Sequence, residues 1–256
     1  MRAVGLHADV VVATSRAYQT TCTLVRSGGE AFCIDSPIFP DELEIVPALA
    51  EQAGFTVVGL LATHGDWDHL LGRYAFPEAP LGCAETTAAR LVSEPGDAQR
   101  KLRDFDEEFY VERPRPLSLP GAQRLPVPGK LEVGDRELEL QPADGHTEDG
   151  MAIWVPWARV LVCGDYLSPV EIPMLHGSLD AYLATLGRLE PLVEEAEHVV
   201  PGHGEPLEAE RALAILREDR AYLQALLETG AAAKLPLARR TGRQRQIHAE
   251  NVARVA

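Results

Sequence analysis

The sequence predicts an α/β protein built of two β-sheets packed face to face, with helices outside them. Two observations carry that expectation. Apolar runs of strand length fall in two blocks, residues 10–62 and 131–163, and each block leads on to stretches with helical 3–4 spacing. Glycine-rich polar clusters follow directly on several of these runs, as loops do at the ends of a rigid scaffold. With 46% hydrophobic and 25% charged residues over 256 positions, the composition is that of a globular chain. The expectation is one domain over 1–256, with a proline-rich connection or lid at about 94–130 and a C-terminal helical segment over 207–256.

Val10-Val11-Val12-Ala13 reads as the first strand. Residues 18–26 and 31–35 read as the next two, joined by a turn at Ser27-Gly28-Gly29. A helix opens at Pro40-Asp41-Glu42, with proline and acids in its first turn, and runs to about Gln52 before Gly54. Residues 57–62 read as a buried strand and 70–73 as a short helix beyond the polar loop between them. A short strand at 81–84, a helix over 85–93 and a strongly charged helix over 96–110 come next. Arg113-Pro114-Arg115-Pro116, with Pro120, Pro126 and Pro128, then makes a stiff extended stretch. It reads either as a connection between the halves or as a lid or dimer arm bringing Phe105, Phe109 or Tyr110 over a site. The second half repeats the scheme: strands at 131–133, 137–141, 151–155 and 160–163, a helix over 179–195, and a strand at 198–200. Residues 207–228 make an amphipathic helix with Leu213, Leu216, Leu223 and Leu227 on one side. Arg239, Arg240, Arg243 and Arg245 form a basic patch, read as solvated or as anion-binding.

The densest chemistry lies in Thr63-His64-Gly65-Asp66-Trp67-Asp68-His69. On a strand His64, Asp66 and Asp68 share a face and His69 does not; on a helix positions i and i+2 point nearly opposite ways. A loop curled around a bound group satisfies all four side chains. Imidazole nitrogens and carboxylate oxygens are ligands of divalent zinc, iron and manganese. A polar loop with Asp68 as a helix cap is the plain alternative. Three later fragments have matching chemistry: Asp144-Gly145-His146-Thr147, Cys163-Gly164-Asp165 and Val200-Pro201-Gly202-His203-Gly204.

In order and spacing these fragments resemble the metallo-β-lactamase-fold hydrolase superfamily, in its glyoxalase II-like form, over roughly residues 18–229. Leu24-Val25 followed by Phe32-Cys33-Ile34-Asp35 is similar to that superfamily's opening strand pair, which ends in an aspartate. The resemblance implies an αβ/βα four-layer sandwich of two mixed sheets and a site for two divalent metal ions, zinc foremost. Carried over residue by residue, it places His64, Asp66 and His146 on one ion, Asp68, His69 and His203 on the other, and Asp165 between them. Asp68 would also carry a proton in catalysis. Tyr166, beside the bridging aspartate, would donate to an oxyanion or else be a packed tyrosine with its hydroxyl at the surface. C-terminal helices cap the substrate cleft in glyoxalase II-like relatives, which is the second reading of residues 207–228.

One residue departs from the pattern: the superfamily usually has a histidine where this chain has Asp66. A more negative, oxygen-rich ligand set weakens Lewis acidity and moves the preference toward manganese or iron. The flavodiiron branch is similar in carrying a carboxylate there, but it also carries a flavodoxin-like domain for which this chain has no room. In a third reading Asp66 does not ligate, and one ion alone binds tightly.

A net charge of −15 argues against a nucleic-acid enzyme, which needs a basic footprint. No run approaches the ~18 apolar residues of a membrane-spanning helix. The first residues carry His7 and Asp9 and lack the apolar core of a signal peptide. The four cysteines make no C-x-x-C pair, and Cys22 and Cys33 are read as buried thiols facing each other across a hairpin rather than as a disulfide. The expectation is a cytoplasmic metal-dependent hydrolase in which a metal-bridging hydroxide attacks a small ester, thioester, lactone or phosphoester. Its partner would be a small-molecule substrate, with no nucleic acid and no membrane; a homodimer is left open. Two alternatives stand beside it: a non-haem (di)iron redox enzyme, and a non-catalytic metal- or ligand-binding member of the fold.

Overall fold

The computed structural model describes residues 1–255. A first sheet holds β1 (Arg2–His7), β2 (Val10–Thr14), β3 (Thr21–Ser27), β4 (Glu30–Asp35), β5 (Val57–Ala62), β6 (Leu81–Ala84) and β7 (Gln123–Leu125), in that spatial order. It is antiparallel from β1 to β4 and parallel from β4 to β7. The second sheet has β8 (Gly129–Val133), β9 (Arg136–Pro142), β10 (Met151–Val155), β11 (Val160–Val162), β12 (His198–Val200) and β13 (Leu207–Glu208). Its order is β13-β12-β11-β10-β9-β8, and β11–β12 is its parallel pair. Against the first sheet lie α1 (Pro40–Gln52), α2 (Gly72–Ala75), α3 (Glu85–Ser93) and α4 (Asp97–Phe109). Against the second lie α5 (Leu179–Glu195), α6 (Ala209–Thr229) and α7 (Gly242–Val255).

Period-2 alternation in the strands builds the four layers. In β3 and β4, Leu24 and Cys33 face the helices while Val25 and Ile34 face the other sheet. In β10 and β11, Met151, Ile153, Val155, Val160 and Val162 face the inter-sheet core. Ala152, Trp154 and Leu161 pack under α5 and α6. Each fully buried Ile, Leu or Val of this kind stabilises the fold by roughly 1.5–3 kcal/mol.

Two of the parallel pairings position the site. Pairing β4 beside β5 brings Asp35 and Thr63 to one rim, and pairing β11 beside β12 brings the segments after Val162 and Val200 to the facing rim. Hydrogen bonds cross between the sheets there: Met151 N to Thr63 O at 2.7 Å, Thr21 N to Gly202 O at 2.8 Å, and Thr21 Oγ1 to Pro201 O at 2.7 Å.

Several elements differ from expectation. β1 is an additional edge strand, whose Val4 and Leu6 are only partly buried against the core. β7 lies inside the proline-rich stretch as the other edge of its sheet. The part of that stretch before β7 is strapped to α2, where Tyr74 Oη donates to Arg115 O at 2.9 Å and Arg73 to Pro120 O at 2.8 Å. The third strand begins at Thr21 rather than Tyr18, because Tyr18 and Gln19 take left-handed backbone angles (φ 52° and 55°). The Arg-rich tail is split: Arg239 is fully buried, and Arg243 sits on the exposed face of α7. Cys22 and Cys33 are buried free thiols, their sulfurs 3.5 Å apart. Among the described residues no helix is long and apolar enough to cross a membrane.

Candidate metal centre

Thr63 leaves β5 with its backbone N–H donating to Asp35 Oδ1 and its hydroxyl to Asp35 Oδ2, both at 2.8 Å. This anchors the loop that follows. A single 3-10 turn over Trp67–His69 then brings Asp68 and His69 to the same side as His64. His146 is delivered by the β9–β10 loop, where the N–H groups of Gly145 and His146 both donate to Tyr166 Oη at 2.7 Å. Asp165 follows Gly164, whose φ of +59° turns the chain inward as β11 ends. His203 comes from the loop after β12. Gly202 allows that loop to pass close, since a β-carbon there would overlap the Asp165 carboxylate.

All seven sequence-predicted ligands meet at one place. His64, Asp66 and His146 form one group and Asp68, His69 and His203 another, with the donor atoms of each within 4.8 Å of one another. Asp165 lies between them. Its Oδ2 is 3.7, 3.4 and 3.2 Å from Nε2 of His64, His146 and His203, and its Oδ1 is 3.2 Å from Nε2 of His69. Asp66 Oδ2 is 3.7 and 3.6 Å from Nε2 of His64 and His146. Asp68 Oδ2 is 3.8 and 3.6 Å from Nε2 of His69 and His203. Two donors held at about 2.0–2.1 Å by one tetrahedral ion stand roughly 3.3 Å apart, so this spacing fits shared ions.

The hydrogen bonds on the far side of each ring decide which nitrogen faces in. His69 Nδ1 lies 2.9 Å from Asp35 Oδ2, His146 Nδ1 2.9 Å from Met174 O, and His203 Nδ1 3.1 Å from Tyr18 O. His64 Nδ1 lies 3.1 Å from Thr63 Oγ1, whose own proton goes to Asp35. Each Nδ1 therefore carries a hydrogen, and each Nε2 is the atom that faces the carboxylates and is left to give its lone pair to an ion. This is how partners behind the ring orient a metal-ligating imidazole. Nε2 of His64, His69 and His146, together with Asp165 Oδ1, are buried with no hydrogen-bond partner. Buried polar atoms left without a partner are costly, and a cation among them would satisfy them.

Electrostatics agrees. Burial pushes the Asp165 carboxyl up, but the charges of His203, His69 and His64 outweigh it and hold it well below the usual range. Asp66 is likewise held well below, by hydrogen bonds to His146 and His64 against the opposing effect of burial. Burial alone would lower His203, yet the charges of Asp165 and Glu171 raise it to about 10. Without metal the cluster keeps protons to balance its carboxylates; with metal the ions take that place.

The cluster floors a cleft of about 330 Å³, within the range of small-molecule sites. Tyr18, Trp67, Lys101 of α4, His176, and Arg243 and Glu250 of α7 also line it. Phe105 is buried beside Trp67, 5.0 Å between ring centroids, while Phe109 and Tyr110 are exposed. The charged helix thus reaches the cleft through Lys101. Tyr166 does not have its hydroxyl at the surface. It is 2% exposed, and its oxygen is occupied by two backbone N–H groups.

Sequence reasoning gave no role to several residues that shape the site. Asp35 holds His69 and Thr63, at a strained φ of 55° that marks a position fixed by its surroundings. Arg90, from α3, binds Asp66 Oδ1 at 2.7 Å and Asp149 Oδ1 at 2.8 Å. Asn251 and Gln244 of α7 bond to the backbone of Pro173, Leu175 and Ile172, and so steady the segment whose Met174 carbonyl orients His146.

Comparison with known proteins agrees with this fold. The sequence model of the metallo-beta-lactamase superfamily matches residues 15–203, and the chain belongs to that superfamily. A hydroxyacylglutathione hydrolase of Rhodospirillum rubrum is 29% identical over 168 residues, which is 65% of this chain and 53% of that enzyme. The similarity thus covers about half of that relative's length. A type 2 metallo-beta-lactamase of Pseudomonas aeruginosa is 22% identical over 200 residues, covering 75% of this chain and 73% of the other. Among solved structures, a metallo-beta-lactamase family protein from Thermus thermophilus superposes with a TM-score of 0.69 at 22% identity, covering 89% of this chain and 83% of its own. A sec-alkylsulfatase from Pseudomonas sp. gives 0.74 at 15% identity, covering 99% of this chain and 49% of its own. At the level of the family, these findings support a metal-dependent hydrolase.

Proposed function

We propose that the protein hydrolyses a small ester, thioester, lactone or phosphoester, with two divalent ions in the cleft, zinc foremost. One observation carries the reading: four imidazoles whose Nδ1 atoms are engaged outside turn their Nε2 atoms onto three carboxylates at the floor of an open cleft. His64, Asp66 and His146 would hold one ion, and Asp68, His69 and His203 the other, with Asp165 shared. Ions bound there supply Lewis acidity and a water acidified toward neutral pH.

The chain's own groups do the rest. The Asp68 carboxylate borders the cleft and is placed to take a proton and return it to a leaving group. Tyr166 keeps the His146 loop in place rather than touching substrate. The substrate is a small molecule, since the cleft is small and the net charge of −15 disfavours nucleic acid. Small esters and thioesters rank first, in keeping with the hydroxyacylglutathione hydrolase named among the relatives.

The test is hydrolysis of a panel of esters, thioesters, lactones and phosphodiesters by protein loaded with zinc. Turnover abolished by Asp165→Ala together with loss of metal supports the reading. No turnover on any member, with a ligand retained stoichiometrically, favours a binding protein instead. The carboxylate at Asp66 is what favours the iron redox reading. Iron with a visible absorption band in the purified protein would move that reading to the front.

A further inference from the structure

Asp66 adds a negative charge to a ligand set that already contains Asp68 and Asp165. The structure shows where that charge is met. Arg90 Nη2 donates to Asp66 Oδ1 at 2.7 Å, and its Nη1 donates to Asp149 Oδ1 at 2.8 Å. Asp149 Oδ2 in turn accepts the Gly65 backbone N–H at 2.8 Å. The oxygens of Asp66 are thus divided. Oδ1 is taken by the guanidinium, and Oδ2 alone faces Nε2 of His64 and His146.

We propose that Arg90 is the positioning residue for Asp66, and that the Arg90–Asp66 pair together replaces a neutral imidazole in the metal site. The inference rests on the reading that His64, Asp66 and His146 hold one of the two ions. Three features carry it. The guanidinium, shared between Asp66 and Asp149, offsets part of the added charge, so Asp66 presents the ion with one donor atom and less negative charge than an unpaired carboxylate would. The side chains of Arg90 and Asp66 are only 20% and 19% exposed, so the attraction is weakly screened. Finally, the planar fork of arginine reaches two carboxylates from two separate nitrogens of one rigid group, where a lysine offers a single nitrogen. Through Asp149, Arg90 also ties the loop carrying Asp66 to the loop carrying His146, so α3 fixes the spacing of two ligands. The shift toward manganese or iron expected from Asp66 alone is therefore reduced, which keeps zinc a fitting ion.

The experiment is a zinc titration of metal-stripped protein against a chromophoric chelator, for the wild type, R90Q, R90K, D66H and D66H/R90Q, with circular dichroism and thermal melts to confirm folding. R90Q is expected to weaken one of the two ions by about 10–100-fold and to leave the other nearly unchanged. R90K, which keeps the charge without the fork, falls between. D66H alone also weakens that ion, because the guanidinium then faces an imidazole with no acceptor. Adding R90Q to D66H is expected to raise affinity, the opposite sign from its effect in the wild type. A merely structural ion pair predicts the same loss in both backgrounds, and that result would overturn the proposal. So would R90Q or R90K binding both ions with unchanged affinity, while the hydrolase reading stood. A folded wild type that bound no pair of ions would bring down both.

Discussion

Replacing Asp35 by asparagine tests the hydrogen bonds behind the ligands with almost no change of shape. Asp35 Oδ1 accepts the Thr63 N–H, and Oδ2 accepts both the Thr63 hydroxyl and His69 Nδ1. An amide cannot reproduce this pattern. If its NH2 lies at the Oδ1 position, it meets the Thr63 N–H donor to donor. If it lies at the Oδ2 position, it donates to His69 Nδ1 and drives the ring proton to Nε2, the atom that must face the ion. Either way one buried charge-assisted bond of roughly 1.5–3 kcal/mol is lost. Loss of such a partner behind a ligand typically costs 10–100-fold in metal affinity, or about 1.4–2.7 kcal/mol. The loss is expected at the ion of Asp68, His69 and His203, and much less at the other. Zinc titration of metal-stripped D35N against a chelator reads it, with thermal melts as a folding control. A folded D35N that kept wild-type affinity for both ions would refute the argument that ring orientation is set from outside.

Three further outcomes are expected. Y166F removes the acceptor of two buried N–H groups, at about 1–3 kcal/mol for each one orphaned; it should lower the melting temperature and loosen metal together. A variant as stable as the wild type that lost only kcat would restore Tyr166 as an oxyanion donor. In metal-free protein, His203 has a folded value of about 10 against roughly 6.5 unfolded. Its contribution is complete below about pH 6.5 and disappears as pH rises toward 10, so melts of chelated protein over that range should fall, and a flat or rising profile contradicts the charge assignment. R239A leaves Asp219, whose carboxyl burial pushes up to about 7 even with Arg239 beside it, without its partner. Breaking such a buried pair typically costs about 3–5 kcal/mol, read as a shift in denaturant midpoint; a cost below about 1 kcal/mol would mean water reaches the pair.

The four-layer core was legible because both faces of the central strands are apolar while their side chains alternate between two clusters, as Leu24 and Val25 do. The candidate ligands were legible because each sits in a short glycine-bounded loop at a strand end. What the sequence hid is long-range. Arg90 and Asp66 are 24 positions apart and belong to no shared pattern, so only the packing of α3 reveals their pairing. Asp35 was visible as the last residue of a strand, but its three bonds depend on β4 and β5 being neighbours. Within the C-terminal helical segment expected over 207–256, α7 was not legible as a separate helix, because two of the three residues it buries, Gln244 and Asn251, are polar amides serving backbone groups rather than apolar anchors. The Arg-rich tail shows the same limit: composition shows a cluster, while the fold buries Arg239 against Asp219 and leaves Arg243 at the cleft.

The central claim is that these seven side chains hold a pair of ions, and its most direct test is elemental analysis of protein purified without added metal or chelator. Two ions per chain, zinc foremost, is the predicted result. One ion or none per folded chain in that preparation would contradict it.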